Sequence, residues 1–166
     1  MTAHHAEIYR YLRRVTFRSA EAEDLSQETF LRAFRAYRGL PPDANVRAWL
    51  FAIATNLFRN SLRSAKRRRA AHDTVKGNGR DDDGAGPETE ARFNEARATV
   101  ERVLEALPPK QRAAFVMRKV HELPYEEIAT SLDCSVESAR AHVFQAFRKI
   151  RQSLDDAQLS SAEGSA

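Results

Sequence analysis

Cysteine occurs once in the chain, as Cys134, which excludes an internal disulfide framework and a cysteine-rich zinc site. Its neighbours suit a small buried thiol, with a redox role as the alternative. No apolar run approaches the length needed to span a bilayer, and the first thirty residues lack a signal-peptide core. A soluble, cytoplasmic protein is therefore expected. Six glycines and six prolines among 166 residues are few, no stretch alternates as a strand would, and there is no internal repeat. The expected fold class is all-α. Ligand-forming side chains are also sparse. His4, His5 and Glu7 form the one conceivable metal cluster, near the N-terminus, while His72, His121 and His142 have no carboxylate or cysteine grouping at ligand spacing. No metal, no cofactor and no catalytic residue is expected.

What the chain does contain is helix-forming residues and unevenly spread charge. Apolar residues make up 42 %, enough to bury a core. The net charge of +4 divides unequally: residues 1–76 hold 15 Lys+Arg against 7 Asp+Glu, residues 77–92 hold 2 against 5, and residues 93–166 hold 10 against 11. A basic first half points to a polyanionic partner, or more plainly to a solvated basic surface.

Helical periodicity is plain in several segments. Ile8, Tyr11, Leu12 and Val15 make a first amphipathic helix. In "AEDLSQETFLRAFRAY", residues 22–37, the expected buried face is Leu25, Thr29, Ala33 and Tyr37, with Phe30 and Phe34 beside it. Leu31 falls on the opposite face among Asp24, Gln27, Glu28 and Arg35. "RGLPPDAN" breaks the pattern, and Asn45 is placed to cap a third helix from Val46 to about Arg68. That helix has a core stripe of Val46, Leu50, Ile53, Leu57 and Leu62, widened by Phe51 and Phe58. From about Ala70 to Pro87 periodicity vanishes, and "KGNGRDDDGAGPE" reads as a flexible linker. Spacing returns with Phe93, Val100, Val103, Leu104 and Leu107 and stops at Pro108-Pro109. Helices are then expected over about 110–120, 125–132 and 136–154, followed by a frayed tail over 155–166.

Two surfaces carry chemistry. Opposite the core of helix 46–68 runs a stripe of Ala48, Ala52, Asn56, Arg59, Arg63 and Lys66, bordered by Asn60 and Arg67, with Trp49 at its edge. Small residues let a polyanion approach, Asn pairs with base edges, Arg with bases or phosphates, and the indole offers a stacking platform. A solvated basic face with a core tryptophan explains the same spacing. The more specific signal is "YEEIATSLDCSVESARAHVFQAFRKI". Ile128, Ala129 and Leu132 form the inner face of a short helix, Asp133-Cys134 the turn, and Ser135 caps a longer helix burying Val136, Ala139, Val143, Phe147 and Ile150. This is a helix–turn–helix pattern. Glu137, Ser138, Arg140, Ala141, Phe144, Gln145 and Arg148 lie beside the packed stripe, where a major groove would sit; a hairpin that only packs is the plainer reading.

The combination resembles an extracytoplasmic-function sigma factor, the compact bacterial class of RNA polymerase specificity subunits, over residues 5–68 and 93–154. "AEDLSQETFLRAFRAY" is similar to that family's polymerase-binding segment, "VRAWLFAIATNLFRNSLRSAKRR" to its minus-ten segment, and "LPPKQRAAFVMRKVHELPYEEIATSLDCSVESARAHVFQAFRKIR" to its minus-thirty-five reader. The resemblance implies two small helical domains joined by a flexible linker, the second containing a helix–turn–helix. Residues 1–69 would be the region 2-like domain, 70–92 an acidic linker, 93–154 the region 4-like domain, and 155–166 a disordered tail.

By the same resemblance Asp24, Gln27, Glu28, Leu31 and Arg35 bind core RNA polymerase on the β′ clamp helices, with the β subunit as a further partner. The minus-ten contacts would be Asn45, Arg47, Trp49, Asn56, Arg59, Asn60, Arg63 and Lys66, taking flipped bases of promoter DNA. The minus-thirty-five contacts would be Ser138, Arg140, Ala141, Phe144, Gln145 and Arg148. An anti-sigma factor is expected as a regulating partner, and no catalysis. The alternative is a stand-alone helix–turn–helix regulator. Two departures bear on this: Asp133 stands where relatives usually have Gly, and Ala141 and Gln145 stand where many carry Ser and Arg.

Overall fold

A computed structural model of the chain describes residues 2–71 and 88–164, with the side chains of 88–90 excepted. The linker expected over 70–92 therefore falls mostly outside the described residues. At its margins the helices encroach on it. Among the described residues seven α-helices follow one another: α1 (Thr2–Thr16), α2 (Ser19–Ala36), α3 (Val46–Ala71), α4 (Glu88–Ala106), α5 (Pro109–Lys119), α6 (Tyr125–Leu132) and α7 (Val136–Glu163), with a 3₁₀ turn at Tyr37–Gly39. Among the described residues there is no strand. The frayed tail is corrected: α7 continues to Glu163, nine residues past the expected end at 154, because "DDAQLSSAE" contains no helix breaker.

Local chemistry sets the helix ends. The Asn45 side-chain oxygen accepts from the Ala48 N–H at 3.1 Å, satisfying one of the orphan donors at the start of α3. Pro109 stands in the first turn of α5, where its missing N–H costs nothing. Ser135 accepts from the Ser138 N–H at 3.1 Å and caps α7. At the helix–turn–helix corner Asp133 is left-handed, with φ 52°. The Cys134 N–H bonds back to Ala129 O at 3.0 Å and the Asp133 N–H to Thr130 O at 3.3 Å, the paired closure that a left-handed residue permits.

Helices α1–α3 form one module and α4–α7 a second, and the two share a core. Ile8, Tyr11, Leu12 and Phe51 of the first module lie in one buried cluster with Met117, Leu123, Ile128 and Leu132 of the second. A second cluster joins Leu104, Leu107, Ala146 and Ile150 to Phe17, which comes from the α1–α2 corner. Phe17 is left-handed at φ 61°, a conformation that costs a bulky L-residue roughly 1–2 kcal/mol. Arg112 of α5 crosses the same boundary. It is only 5 % exposed and donates to Val15 O at 2.9 Å and Glu105 O at 2.6 Å. Its guanidinium also lies over the Phe17 and Phe58 rings at 5.8 and 5.4 Å. A buried cation needs such partners, because desolvating one without them costs several kcal/mol. Burial pushes the Arg112 pKa below its ordinary value. Inside the first module the Tyr11 hydroxyl and Thr55 Oγ1 share a 2.7 Å hydrogen bond.

Five expected core positions are corrected. Phe34 and Tyr37 are exposed, because α2 packs through the small residues Ala22, Ser26, Thr29 and Ala33, which let its backbone approach α1 and α3 closely. Phe34 lies about 100° around the helix from Ala33 and leaves that contact. Phe93 stands in solvent on the first turns of α4, with only Leu104 and Leu107 of its stripe buried. Phe147 is exposed too, beneath the Lys119 ammonium at 5.5 Å, and Ala146 takes the core position. Val136 is half-buried rather than core.

Candidate functional site

On α2, Leu31 is 51 % exposed and Phe34, one turn on, is 75 % exposed. They stand about 60° apart on the helix and form an apolar pair. Asp24, Gln27 and Arg35 are exposed around them, and Glu28 is half-buried and accepts from Arg32 Nε at 2.8 Å. An apolar centre with a charged rim is the anatomy of a specific protein interface. Sequence spacing places Phe34 beside the buried face, and the structure adds it to this one. The signal lay in its i, i+3 relation to Leu31.

The α3 stripe divides in two. Asn56, Asn60, Arg63 and Lys66 are exposed and Arg59 is half-buried, a continuous polar and basic strip along the outer two-thirds of the helix. The first turn is different, and the open surface expected there is corrected. Ala48 is buried, and its carbonyl accepts from the Ser131 hydroxyl of α6 at 3.1 Å. Trp49 is half-buried against the shared core rather than free to stack. Asn45 donates to Glu127 Oε1 at 2.8 Å.

Arg47 is held from three sides. It donates to Glu7 Oε1 from Nε at 3.1 Å and to His121 O at 2.9 Å, and its Nη1 stands 3.6 Å from Glu127. Burial alone would raise the Glu7 carboxyl, but the Arg47 hydrogen bond and charge outweigh it and hold the group below its ordinary value. The Glu7 hydrogen bond in turn raises Arg47. His121 closes the same corner, its ring packed edge-on against Tyr11 and Phe51. Burial drives its pKa down to about 4, so it is neutral at pH 7. Glu127, Ser131 and His121 carry no sequence signal for this role, because each acts across the contact between modules, and Glu7, singled out in the sequence only beside His4 and His5, holds Arg47 from within the first module.

The α7 face is open. Arg140, Ala141, Gln145 and Arg148 are exposed, Ser138 is half-exposed, and Phe144 is 64 % exposed. Two of these side chains are steadied from neighbouring helices. The Arg140 guanidinium lies over the Tyr125 ring at 5.3 Å, and Gln145 accepts from the Gln111 amide at 2.7 Å. Lys149 donates to the same Gln111 at 3.2 Å, extending the row. The Cys134 thiol is half-buried, and burial raises its pKa. A raised pKa disfavours the nucleophilic thiolate there. Among the described residues no group of His, Cys, Asp and Glu could hold a metal ion, and no helix is long and apolar enough to cross a membrane.

Comparison with known proteins places these surfaces in context. Residues 1–68 match the sigma-70 region 2 family and residues 97–150 the sigma-70 region 4 family. The chain is 33 % identical to the RNA polymerase sigma-H factor of Pseudomonas aeruginosa over 141 residues, covering 81 % of this chain and 73 % of that one. It is 32 % identical to the ECF RNA polymerase sigma-E factor of Escherichia coli K12 over 145 residues, covering 83 % and 74 %. In fold it is similar to the sigma factor RpoE in complex with the anti-sigma factor NepR from Bartonella quintana, with a TM-score of 0.70, 21 % identity and 91 % of each chain covered. It is also similar to CnrH in complex with the cytosolic domain of CnrY, with a TM-score of 0.67, 23 % identity, and 93 % and 84 % covered.

Proposed function

The chain belongs to the extracytoplasmic-function branch of the sigma-70 family, alternative sigma factors that direct transcription initiation, and from that premise we propose how its surfaces divide the work. The α2 face binds core RNA polymerase. Leu31 and Phe34 enter the contact with the β′ clamp helices, and Asp24, Gln27, Glu28 and Arg35 set its register from the rim. The β subunit adds a second contact. On α3, Asn56, Arg59, Asn60, Arg63 and Lys66 take the unpaired minus-ten strand, amides on base edges and cations on phosphates. Asn45, Arg47 and Trp49 join them when they are uncovered. On α7, Arg140 and Phe144 read the minus-thirty-five duplex, with Ser138, Ala141, Gln145 and Arg148 beside them. The protein works in the cytoplasm with the polymerase, has no reaction of its own, and is regulated by an anti-sigma factor.

The observation that supports this reading best is the exposed Leu31–Phe34 pair inside a charged rim, on the helix that the family uses for the polymerase. A stand-alone duplex-binding regulator has no use for that face. The test is run-off transcription with purified core polymerase on a library of genomic fragments. Discrete transcripts that depend on adding this chain are expected. A transcript pattern unchanged by the chain would refute the assignment.

A further inference from the structure

Beside the open α7 face, three side chains from two helices form a directed row. Lys149 Nζ donates to Gln111 Oε1 at 3.2 Å, and Gln111 Nε2 donates to Gln145 Oε1 at 2.7 Å. Gln145 and Lys149 are exposed one turn apart on α7, and Gln111 meets them from α5, half-buried.

The direction of the row is set at its lysine end. An ammonium has three donors and no acceptor, so only an amide oxygen can face it. Gln111 therefore turns its oxygen to Lys149 and its nitrogen to Gln145. That nitrogen, a donor, draws the Gln145 oxygen in turn. Neither amide can be reversed without setting donor against donor. Because an amide is planar with its oxygen and nitrogen on opposite sides, the Gln145 nitrogen is turned away from Gln111. One turn earlier, Ala141 carries only a methyl group and offers that nitrogen no competing acceptor.

We propose that Lys149 and Gln111 are positioning residues that make Gln145 a donor-only reader of the minus-thirty-five duplex, selecting guanine over adenine at the base it meets. The proposal rests on α7 being the minus-thirty-five face and adds what one position of that face selects. A free glutamine pairs best with adenine, its oxygen accepting from the N6 amino group while its nitrogen donates to N7. Here the oxygen is held by Gln111, and that pairing loses its acceptor. Guanine presents two acceptors side by side, N7 and O6, and suits an amino group alone.

One substitution inverts the logic. Gln111→Glu keeps the side chain's length and still accepts from Lys149, but it has no donor for Gln145. The Gln145 amide then turns its nitrogen inward and its oxygen toward the base, and adenine becomes the better partner.

The experiment is transcription by core polymerase with the full chain on a promoter library randomised through the upstream element, with transcripts counted by sequencing. Gln145→Ala and Arg140→Ala mark the positions that each side chain reads. At the Gln145 position the parent chain should favour G·C over A·T about five- to tenfold. Gln111→Leu and Lys149→Met should shrink that ratio, and Gln111→Glu should reverse it. Loss of positive charge weakens DNA binding at every sequence alike, so the ratio within each library is read rather than the yield. Melting temperatures should stay near the parent's, since both hydrogen bonds of the row are exposed. The proposal is overturned if the parent favours A·T there, if Gln111→Glu keeps the parent's preference, or if Gln111→Leu and Lys149→Met both leave it undiminished. It is also overturned, with the α7 reading left standing, if Arg140→Ala shifts a position and Gln145→Ala shifts none. If neither shifts any position, or no transcript depends on the chain, the α7 reading falls with it.

Discussion

Replacing Phe34 by alanine separates polymerase binding from folding. Three-quarters of the ring is in solvent in the free chain, so truncation removes little from the core, and surface changes of this kind stay within about 0.5 kcal/mol of stability. A Phe side chain gains about 1.5–3 kcal/mol on full burial. Applied to the three-quarters still uncovered, that leaves about 1–2 kcal/mol for a partner to recover, or a roughly five- to thirty-fold loss in affinity. Leu31 is half covered already, so Leu31→Ala should lose less. Leu31→Asp should lose much more, because it puts an unpaired carboxylate at the centre of the contact. Phe93 is the internal control, a ring of nearly equal exposure on α4 outside the proposed contact. The assay is equilibrium binding of labelled protein to core polymerase, with melting temperatures measured on the same samples. The reasoning is refuted if Phe34→Ala and Leu31→Ala bind within a factor of two of the parent, or if Phe93→Ala loses as much.

Arg140→Ala should reduce transcription several-fold from promoters carrying the matching upstream element and little from those without it; an equal loss at all promoters, measured by run-off, contradicts base reading by Arg140. His121 is neutral, its pKa lowered to about 4 by burial, with Arg10, Arg47 and Arg14 adding to the shift against the opposing pull of Glu7, so the unfolded chain takes up the proton first. Stability is then fully present above about pH 6.5 and lost as pH falls from there toward 4; thermal melts of His121→Asn should be flatter over that window, and parallel curves would count against the buried neutral ring. Asp133→Gly should stabilise the helix–turn–helix corner by roughly 0.5–1 kcal/mol, since φ 52° is free to glycine and costs aspartate, and an unchanged or lower melting temperature would sink that account.

Local order was legible because it depends on residues near one another in sequence. Asn45 and Ser135 cap the helices they precede, and α6 and the Asp133 corner fall where the apolar spacing and turn chemistry put them. Leu31 was found the same way, as an apolar residue on a polar face. The failures share a cause as well. Periodicity puts Phe34, Phe93 and Phe147 in the core, because it reports a helix face but not the size of residue its neighbour accepts. Where α2 crosses closely the core takes Ala22, Ser26 and Ala33, and where α7 does so it takes Ala139 and Ala146, leaving the large rings outside.

The first turn of α3 departs from its spacing for a deeper reason. From spacing alone Ala48 looked like a clear approach for a polyanion, and a small residue is equally an approach for another helix. Which one occupies it is set by residues such as Ser131 and Glu127, up to 83 positions away in the chain, whose place in the helix–turn–helix pattern says nothing of a partner on α3. The outer part of α3 and most of the α7 face stay open among the described residues. Asn45 and Arg47 do not, because the same donors that suit a DNA strand also suit a carboxylate and a carbonyl of the second module. A donor with two possible acceptors is how a binding surface becomes conditional, and sequence spacing holds no term for the choice between them.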